Sequence, residues 1–216
     1  MSLYLEQKRF FEEAYRTGVH GWPIEDPSRF VVEFLRSFQK KHPRGRILDI
    51  GCGEGRHTLL FAGAGHTAIG VDLQPLAIRR AKGLAKSKGM TRNFKFVLGD
   101  VFSLPFQPND FDVLIDYGCL HHVMKKDFSK YLKSTLPLLR PGGYFLLSCF
   151  SNKFKHHPGE RRSRDWMVHR GHYDRFFWKS DFQALFGKFY DILKTREEWD
   201  REHPYYVFHH VLMRKK

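Results

Sequence analysis

Residues 46–58 read RILDIGCGEGRHT, which combines a short apolar run, one carboxylate and three glycines on alternate positions. An apolar run of this length is typical of a strand that is covered on both faces. Glycines at positions 51, 53 and 55 permit positive φ angles and let a ligand approach the backbone closely. The segment therefore predicts a strand that ends at Ile50, followed by a turn that binds a ligand.

The rest of the chain alternates strand-like and helix-like segments, which is typical of a parallel sheet covered by helices. Strands are expected at 46–50, 67–72, 93–100, 111–116 and 144–150. Helices are expected at 27–38, 57–64, 74–89, 127–140 and 180–187. Two closely spaced final strands, near 189–198 and 205–213, favour an antiparallel hairpin.

Local signals set several of these helix boundaries. Asp26 with Pro27 predicts the start of the helix upstream of the glycine turn. Asp127 is expected to cap the helix after the fourth strand, and Pro137 to disturb its last turn. Ser180, with Gln183 three residues later, resembles a capping box that opens the last helix.

Composition limits the class of protein. The 216 residues suit one domain, and the 37 basic against 23 acidic side chains give a formal charge of +14. This charge suits either nucleic acid binding or simple solubility, and no RNA-binding signature accompanies it. The three cysteines form no CxxC pair, and no apolar run approaches the roughly 20 residues of a membrane span. We expect a soluble cytoplasmic protein without a membrane partner.

The glycine turn does not fit a dinucleotide. A G-x-G-x-x-G fingerprint needs its third glycine at position 56, where this chain has Arg56. The carboxylate of Asp49 would also repel a pyrophosphate, whereas it suits a ligand that carries a cation. The alternative role of Asp49 is to cap the turn or the following helix. An NAD-dependent oxidoreductase is therefore disfavoured.

The sequence DIGCGEG at 49–55 resembles the acidic G-x-G-x-G motif of the class I S-adenosylmethionine-dependent methyltransferase family. Asp72, in TAIGVDLQP, matches the acid that binds the ribose hydroxyls in that family, and Asp100-Val101 match the pair that binds adenine. The resemblance implies S-adenosyl-L-methionine as cofactor. It also implies a Rossmann-like three-layer α/β/α sandwich, whose seven-stranded mostly parallel sheet has the order 3-2-1-4-5-7-6 with one antiparallel strand.

The resemblance further implies two sets of site residues. The donor set is Trp22, Asp49, Gly51, Cys52, Gly53, Asp72, Leu73, Asp100, Val101, Asp116 and Tyr117. The catalytic candidates, which follow the fourth strand, are Asp116, Tyr117, His121 and His122. A looser likeness to tellurite-resistance and thiopurine methyltransferases suggests that Tyr15, Trp22 and Pro23 fold over the donor, although Trp22 equally suits a hydrophobic staple.

Residues 151–179, after the fifth strand, are the most individual part of the chain and are expected to bind the acceptor. Their basic and aromatic side chains suit either a clamp for an anionic or aromatic molecule or a solvated lid. These side chains are Lys153, Lys155, Arg161, Arg162, Arg164, Arg170, Arg175, Trp166, Tyr173, Phe176, Phe177 and Trp178. The histidines at 156, 157, 169 and 172 lack fixed helical spacing with acidic or cysteine partners, so no metal site is expected.

The chain is thus expected to be one methyltransferase domain. Its parts are N-terminal helices that form a donor lid (1–45), a donor-binding core (46–150), an acceptor-side insert (151–179) and a C-terminal helix with a hairpin (180–216). The expected activity is methyl transfer to a small anionic or aromatic acceptor. Three cysteines at strand ends leave a soft acceptor open, and the charge leaves RNA open but not favoured. A non-catalytic donor-binding scaffold is the alternative of another class.

Overall fold

The computed structural model describes residues 3–19, 26–199 and 205–216. Its helices are α1 (Leu3–Thr17), α2 (Arg29–Lys41), α3 (Arg56–Gly63), α4 (Pro75–Ser87), α5 (Phe128–Thr135) and α6 (Lys179–Phe186). Its strands are β1 (Arg46–Ile50), β2 (Thr67–Asp72), β3 (Phe94–Leu98), β4 (Phe111–Tyr117), β5 (Leu139–Phe150), β6 (Arg161–Arg162), β7 (Trp166–His169), β8 (His172–Arg175), β9 (Tyr190–Trp199) and β10 (Val207–Lys215). No helix within these ranges is both long and apolar enough to cross a bilayer.

Seven of the strands form one sheet in the order β3-β2-β1-β4-β5-β10-β9. The pairs β1–β2, β1–β4, β2–β3 and β4–β5 are parallel, whereas β10 runs antiparallel to both β5 and β9. The predicted order, with its one antiparallel strand, is therefore confirmed. In the parallel register Ile50 of β1 faces Asp116 of β4, so the carboxyl ends of these strands meet at one edge.

Helices cover both faces of this sheet. On one face Phe34 of α2 and Phe61 of α3 pack with Ile115 of β4, and α4 lies beside α3. On the other face Tyr131 of α5 and Phe186 of α6 pack against the sheet. Because β1, β4 and β5 are covered on both sides, their sequences are continuous apolar runs rather than alternating ones. The three-layer arrangement predicted from the sequence is confirmed.

The start of α2 differs from the prediction. Helix α2 begins at Arg29, and its N-cap is Ser28, whose Oγ accepts a hydrogen bond of 3.4 Å from the Val31 N–H. The predicted cap, Asp26 with Pro27, lies outside the helix. Ser28 takes the position because a hydroxyl with extended backbone can satisfy a free N–H of the first turn.

The start of α6 also differs from the prediction. The helix begins at Lys179, with Trp178 rather than Ser180 as the N-cap residue. Asp181 then stands at the third helical position, and its Oδ2 accepts a hydrogen bond of 3.0 Å from the Trp178 N–H. The expected capping box of Ser180 and Gln183 is therefore wrong, because it places the helix start two residues too late.

The connection from α5 to β5 was predicted in part. The Asp127 side chain does not cap α5 but pairs with Lys130 at 2.7 Å. The helix stops at Thr135, so the expected helix to residue 140 is too long, and a 3₁₀ turn that contains Pro137 leads directly into β5 at Leu139. Residues 140–143 interrupt the pairing between β4 and β5, where the register shifts. The strand therefore begins earlier than expected and bulges at the Pro-Gly-Gly sequence.

The segment predicted as the acceptor-side insert contains a second, small sheet. Strands β6, β7 and β8 pair antiparallel in that order. Strand β8 packs against α1 and against the 3₁₀ turn of residues 120–122, which follows β4. The sequence did not predict this sheet, which brings the insert over the carboxyl ends of the central strands.

Gly55 provides a test of the predicted turn. It has φ +83°, and a Cβ built there would lie 2.5 Å from the Phe96 ring. We expect Gly55→Ala to lower the free energy of unfolding by the cost of a left-handed residue, about 1–3 kcal/mol, plus about 1–3 kcal/mol for overpacking. Urea unfolding of the purified variant measures the sum.

Gly65→Ala is the matched control for this variant. Gly65 has a similar φ of +91°, but no atom of the described residues lies within 4 Å of a Cβ built there. It should therefore show the backbone cost alone. Equal losses for the two variants would mean that Phe96 does not constrain the turn.

Candidate active site

A cavity of about 460 Å³ opens at the carboxyl ends of β1, β2 and β4. Helix α1 and strands β7 and β8 of the small sheet form part of its wall, together with the turns that follow the central strands. Its volume lies within the range of small-molecule sites. The position also matches the edge at which open α/β sheets bind ligands.

Most of the donor residues expected from the sequence line this cavity. They are Asp49, Gly51, Cys52, Gly53, Asp72, Leu73, Asp100, Val101 and Tyr117. Tyr15 also lines it. Asp116 is fully buried and is not part of the wall, and Trp22 and Pro23 lie outside the described residues.

Gly51 and Gly53 form the turn after β1 with positive φ angles of 66° and 54°. A Cβ at Gly51 would lie 2.9 Å from the Cβ of Cys119, so only glycine lets the turn after β1 approach the turn after β4. Burial raises the pKa of the thiols of Cys52 and Cys119 well above the ordinary value. Both sulfurs are therefore neutral thiols at pH 7.

The Asp72 carboxylate joins the turn after β1 to the turn after β2. Its Oδ2 accepts a hydrogen bond of 2.9 Å from the Gly53 N–H, and its Oδ1 accepts one of 2.8 Å from the Gln74 N–H. Burial raises the pKa of Asp72, and the backbone donors oppose this rise. Each carboxylate oxygen has a second lone pair, so the group can still accept hydrogen bonds from ligand hydroxyls.

Asp49 joins β1 to α3. Its Oδ2 accepts hydrogen bonds from the Thr58 N–H at 3.0 Å and the Thr58 hydroxyl at 2.7 Å. The side chain is 2% exposed, and this burial raises its pKa to about 7 against the opposing effect of the Thr58 hydrogen bonds. Asp49 therefore caps the first turn of α3 through Thr58, and it also lines the cavity.

This raised pKa predicts how stability varies with pH. Between about pH 4 and pH 7 the folded protein keeps the Asp49 proton, whereas the unfolded chain has lost it. Unfolding then releases a proton, so this group makes the protein less stable as pH rises through that interval. Asp49→Asn removes the effect, and we expect its stability relative to the parent to rise by roughly 2 kcal/mol from pH 5 to pH 8.

Urea unfolding of the ligand-free protein at both pH values measures this difference. Asp191→Asn is the matched control, because the Asp191 side chain is 62% exposed. A constant stability difference between Asp49→Asn and its parent would show that the Asp49 carboxyl is not protonated in the folded state.

Asp116 holds the turn after β4 in place by hydrogen bonds to its backbone. Its Oδ1 accepts hydrogen bonds from the N–H groups of Cys119, at 2.8 Å, and Leu120, at 3.1 Å, and its Oδ2 accepts one of 2.7 Å from the Tyr131 hydroxyl. Burial raises the pKa of Asp116 to about 6, although these hydrogen bonds oppose the rise. This placement gives Asp116 a structural role in place of the ligand contact expected from the sequence.

The two histidines of this turn lie in the cavity wall. His121 is 3% exposed and stacks on Phe150, with ring centroids 3.8 Å apart, and its Nδ1 has no hydrogen-bond partner among the described residues. The His122 Nδ1 lies 3.0 Å from the His172 Nε2 and 2.9 Å from the Asp174 Oδ1. The turn after β4 therefore meets β8 through a cluster of imidazoles around one carboxylate.

Asp174 is the buried acid of this cluster, with 2% exposure. Burial alone would raise its pKa, but the imidazoles of His172 and His122 outweigh burial and hold that pKa below its ordinary value. The sequence analysis did not single out Asp174. The signal available was the HYD sequence at 172–174, whose first and third side chains share one face of a strand.

Helix α1 is fixed over the cavity by polar contacts. The Gln7 Nε2 donates a hydrogen bond of 2.9 Å to the His122 carbonyl, and the Gln7 Oε1 accepts one of 3.2 Å from the Tyr173 N–H. The Gln74 Nε2 donates another, of 2.9 Å, to the Lys8 carbonyl. The helix thus joins the turn after β4, the insert and the turn after β2 into one enclosure.

The arginines of the insert are used mainly for packing. Arg162 lies over the Phe176 ring at 4.4 Å and pairs with Glu160, and Arg175 is 5% exposed and lies over Phe177 at 4.5 Å. None of the basic insert residues named in the sequence analysis lines the cavity. The expected anion clamp is therefore not formed by these side chains.

Sequence and structure comparisons agree with this geometry. A profile described as a methyltransferase domain matches residues 41–201. The chain is 32% identical over 147 residues to a 2-heptyl-1-hydroxyquinolin-4(1H)-one methyltransferase of Mycobacteroides abscessus, covering 65% of this chain and 63% of that protein. It is 29% identical over 132 residues to norajmaline N-methyltransferase of Rauvolfia serpentina, covering 58% of this chain and 44% of that protein. The matches thus span less than two thirds of these curated relatives.

A solved structure is similar over nearly the whole chain. It is the 1,6-didemethyltoxoflavin-N1-methyltransferase of Burkholderia thailandensis with bound 1,6-didemethyltoxoflavin and S-adenosylhomocysteine. The TM-score is 0.78 at 25% identity, and the match covers 99% of this chain and 88% of that one. With the profile match over most of the chain, the conclusion is that this protein belongs to the methyltransferase-domain family of class I S-adenosylmethionine-dependent enzymes.

Proposed function

We propose that this protein transfers a methyl group from S-adenosylmethionine to a small nitrogen heterocycle that binds in the cavity. The observation that carries the proposal is that one continuous cavity joins a donor end, lined by the glycine turn and carboxylates, to an end lined by aromatic rings. The aromatic residues at this second end are Phe10, Phe11, Phe150, Phe154, Tyr206 and Phe208.

The donor end suits S-adenosylmethionine, which supplies a methyl group on a positively charged sulfur when bound. Asp72 is positioned to accept hydrogen bonds from ribose hydroxyls, while Asp100 and Val101 bind the adenine. Gly51 and Gly53 leave room for the rest of the donor because neither places a side chain in the turn. Burial raises the pKa of Asp49 and Asp72, and a cationic ligand beside them would lower these pKa values by stabilising the ionised carboxylates, whereas a pyrophosphate would raise them further.

The aromatic end suits a flat, mostly uncharged acceptor. Aromatic side chains stack on planar rings and contribute large apolar contacts. Among the described residues, the cavity wall contains one lysine, Lys8, and one arginine, Arg56. The guanidinium of Arg56 lies 4.9 Å from the Tyr117 ring. An aromatic acceptor is therefore favoured over a strongly anionic one.

The relatives support the same acceptor class. The names of two of them specify 2-heptyl-1-hydroxyquinolin-4(1H)-one and 1,6-didemethyltoxoflavin, which are small heterocycles. Helix α1 places Phe10 and Phe11 in the wall of the aromatic end, and a wall of this kind helps to align an acceptor and to protect the donor from hydrolysis. Methyl transfer from a sulfonium needs alignment more than acid or base catalysis.

An assay with isotope-labelled S-adenosylmethionine tests this proposal. The full chain is incubated with hydroxyquinolinones, fused pyrimidine heterocycles, simple thiols and structured RNA, and products are analysed by mass spectrometry for the gain of one labelled methyl group. We expect turnover with at least one heterocycle. Methylation confined to RNA or thiols would contradict the acceptor class, and donor binding without any methylated product would favour a non-catalytic scaffold.

A further inference from the structure

Four side chains of the type that bind metals converge on one wall of the cavity. His121 and His122 come from the turn after β4, and His172 and Asp174 come from β8. His121, His122 and Asp174 each place one ligand atom within 4.8 Å of the others. All four residues line the cavity.

The spacing of these atoms is that of ligands around one ion. The His122 Nδ1, the His172 Nε2 and the Asp174 Oδ1 form a triangle with edges of 3.0, 2.9 and 3.5 Å. Ligand atoms about 2.1 Å from a common ion lie about 3.0–3.4 Å apart in octahedral or tetrahedral geometry. His172 and Asp174 share one face of β8, which directs both side chains to the same point.

Hydrogen bonding within the cluster leaves two of its buried atoms without a partner. The His122 Nδ1 and the His172 Nε2 form a hydrogen bond of 3.0 Å, and the Asp174 Oδ1 lies 2.9 Å from the same His122 nitrogen. The Asp174 Oδ1 is buried and has no aligned hydrogen bond among the described residues, although imidazole nitrogens face it. The buried Nδ1 of His121 is also without a partner there. Unsatisfied polar atoms this deeply buried are costly unless another group binds them.

The surroundings hold the imidazoles in place. Phe10 stacks on His172 with centroids 4.3 Å apart, and Phe11 meets His122 edge to face at 4.9 Å. Gln7 donates a hydrogen bond to the His122 carbonyl and thereby fixes the turn. Rigid supporting contacts of this kind are typical of built metal sites.

We propose that His122, His172 and Asp174, with His121 as a fourth ligand, bind a divalent first-row transition-metal ion beside the aromatic end of the cavity. Imidazoles with a single carboxylate favour zinc, cobalt, nickel, copper or iron over magnesium or calcium, which prefer oxygen ligands. The site is assigned to ion binding, and the binding itself involves no redox step. The statement that the ion lies next to a methyl acceptor rests on the proposed function. The statement that the site binds an ion does not.

Calorimetry with zinc chloride on the full chain, purified without a histidine tag and stripped of metal, tests the site. We expect one zinc ion per chain, and replacement by cobalt should give visible ligand-field bands. Asp174→Asn and His172→Ala should each weaken zinc binding by more than the ~10–100-fold cost of losing an outer partner. His156→Ala is the matched control in the same insert, because the His156 side chain is 76% exposed.

Thermal unfolding and S-adenosylhomocysteine binding of each variant show whether it folds. Retained folding with lost zinc binding supports the site. Equal zinc binding by wild type, Asp174→Asn and His172→Ala would overturn it, as would absence of zinc binding by the folded wild type. None of these measurements uses a methyl acceptor. A failed methylation assay with intact zinc binding would therefore count against the proposed function alone.

Discussion

Asp72→Ala should lower the affinity for S-adenosylhomocysteine by at least about 100-fold, because it removes the carboxylate that we assign to the ribose hydroxyls. Two hydrogen bonds to a charged acceptor contribute about 1.5–3 kcal/mol each, which corresponds to this loss or a larger one. Calorimetry at pH 7.5 measures it. The same variant should also be inactive in the labelled methylation assay.

Two further variants separate ligand contact from folding. Asp72 also accepts hydrogen bonds from the Gly53 and Gln74 N–H groups, so its removal disturbs the turn as well. Asp72→Asn keeps an acceptor oxygen for one of these two N–H groups, places its amide nitrogen beside the other and removes the charge, and we expect an affinity between those of the wild type and Asp72→Ala. Asp191→Ala, at an exposed position on β9, should bind as the wild type does. Unchanged affinity in Asp72→Ala would refute the ribose assignment.

Asp116→Ala should be strongly destabilised, with a loss of at least about 3 kcal/mol in the free energy of unfolding. The variant leaves three buried donors without an acceptor, namely the N–H groups of Cys119 and Leu120 and the Tyr131 hydroxyl. Each such donor costs about 1–3 kcal/mol. Urea unfolding monitored by circular dichroism measures the loss.

Asp116→Asn distinguishes a structural role from a catalytic one. The amide oxygen can accept from the two N–H groups, and the amide nitrogen can donate to the Tyr131 hydroxyl. We therefore expect Asp116→Asn to fold and to keep methyl transfer within about tenfold of the wild type, since geometry is retained. A folded Asp116→Asn that binds donor but has lost methyl transfer by several orders of magnitude would restore Asp116 as a catalytic residue.

The position of the glycine turn and Asp72 in the cavity wall could be predicted from the sequence because its determinants are local. Gly51 and Gly53 follow β1 directly, and Asp72 ends β2, so their positions follow from strand ends in a parallel sheet. The sheet order was likewise implied by a resemblance that covers these contiguous motifs. Local motifs of this kind can be recognised in a single sequence without an alignment.

The acceptor end could not be predicted because it is assembled by tertiary contacts. His122 and Asp174 meet only because β8 folds back over the turn after β4, and nothing in the sequence between them sets that distance. Gln7 reaches the same turn from α1, where its polar side chain resembles any exposed residue of an amphipathic helix. Asp116 misled the sequence analysis because its position after a strand suits a ligand contact as well as a buried hydrogen-bonded acid.

A crystal structure of this protein with S-adenosylhomocysteine tests the central claim most directly. We expect the ligand in the turn of Gly51 and Gly53, with its ribose hydroxyls hydrogen-bonded to Asp72 and its adenine beside Asp100 and Val101. Its sulfur should face the aromatic end of the cavity. Density for the ligand elsewhere, with the Asp72 carboxylate bonded only to Gly53 and Gln74, would contradict the account.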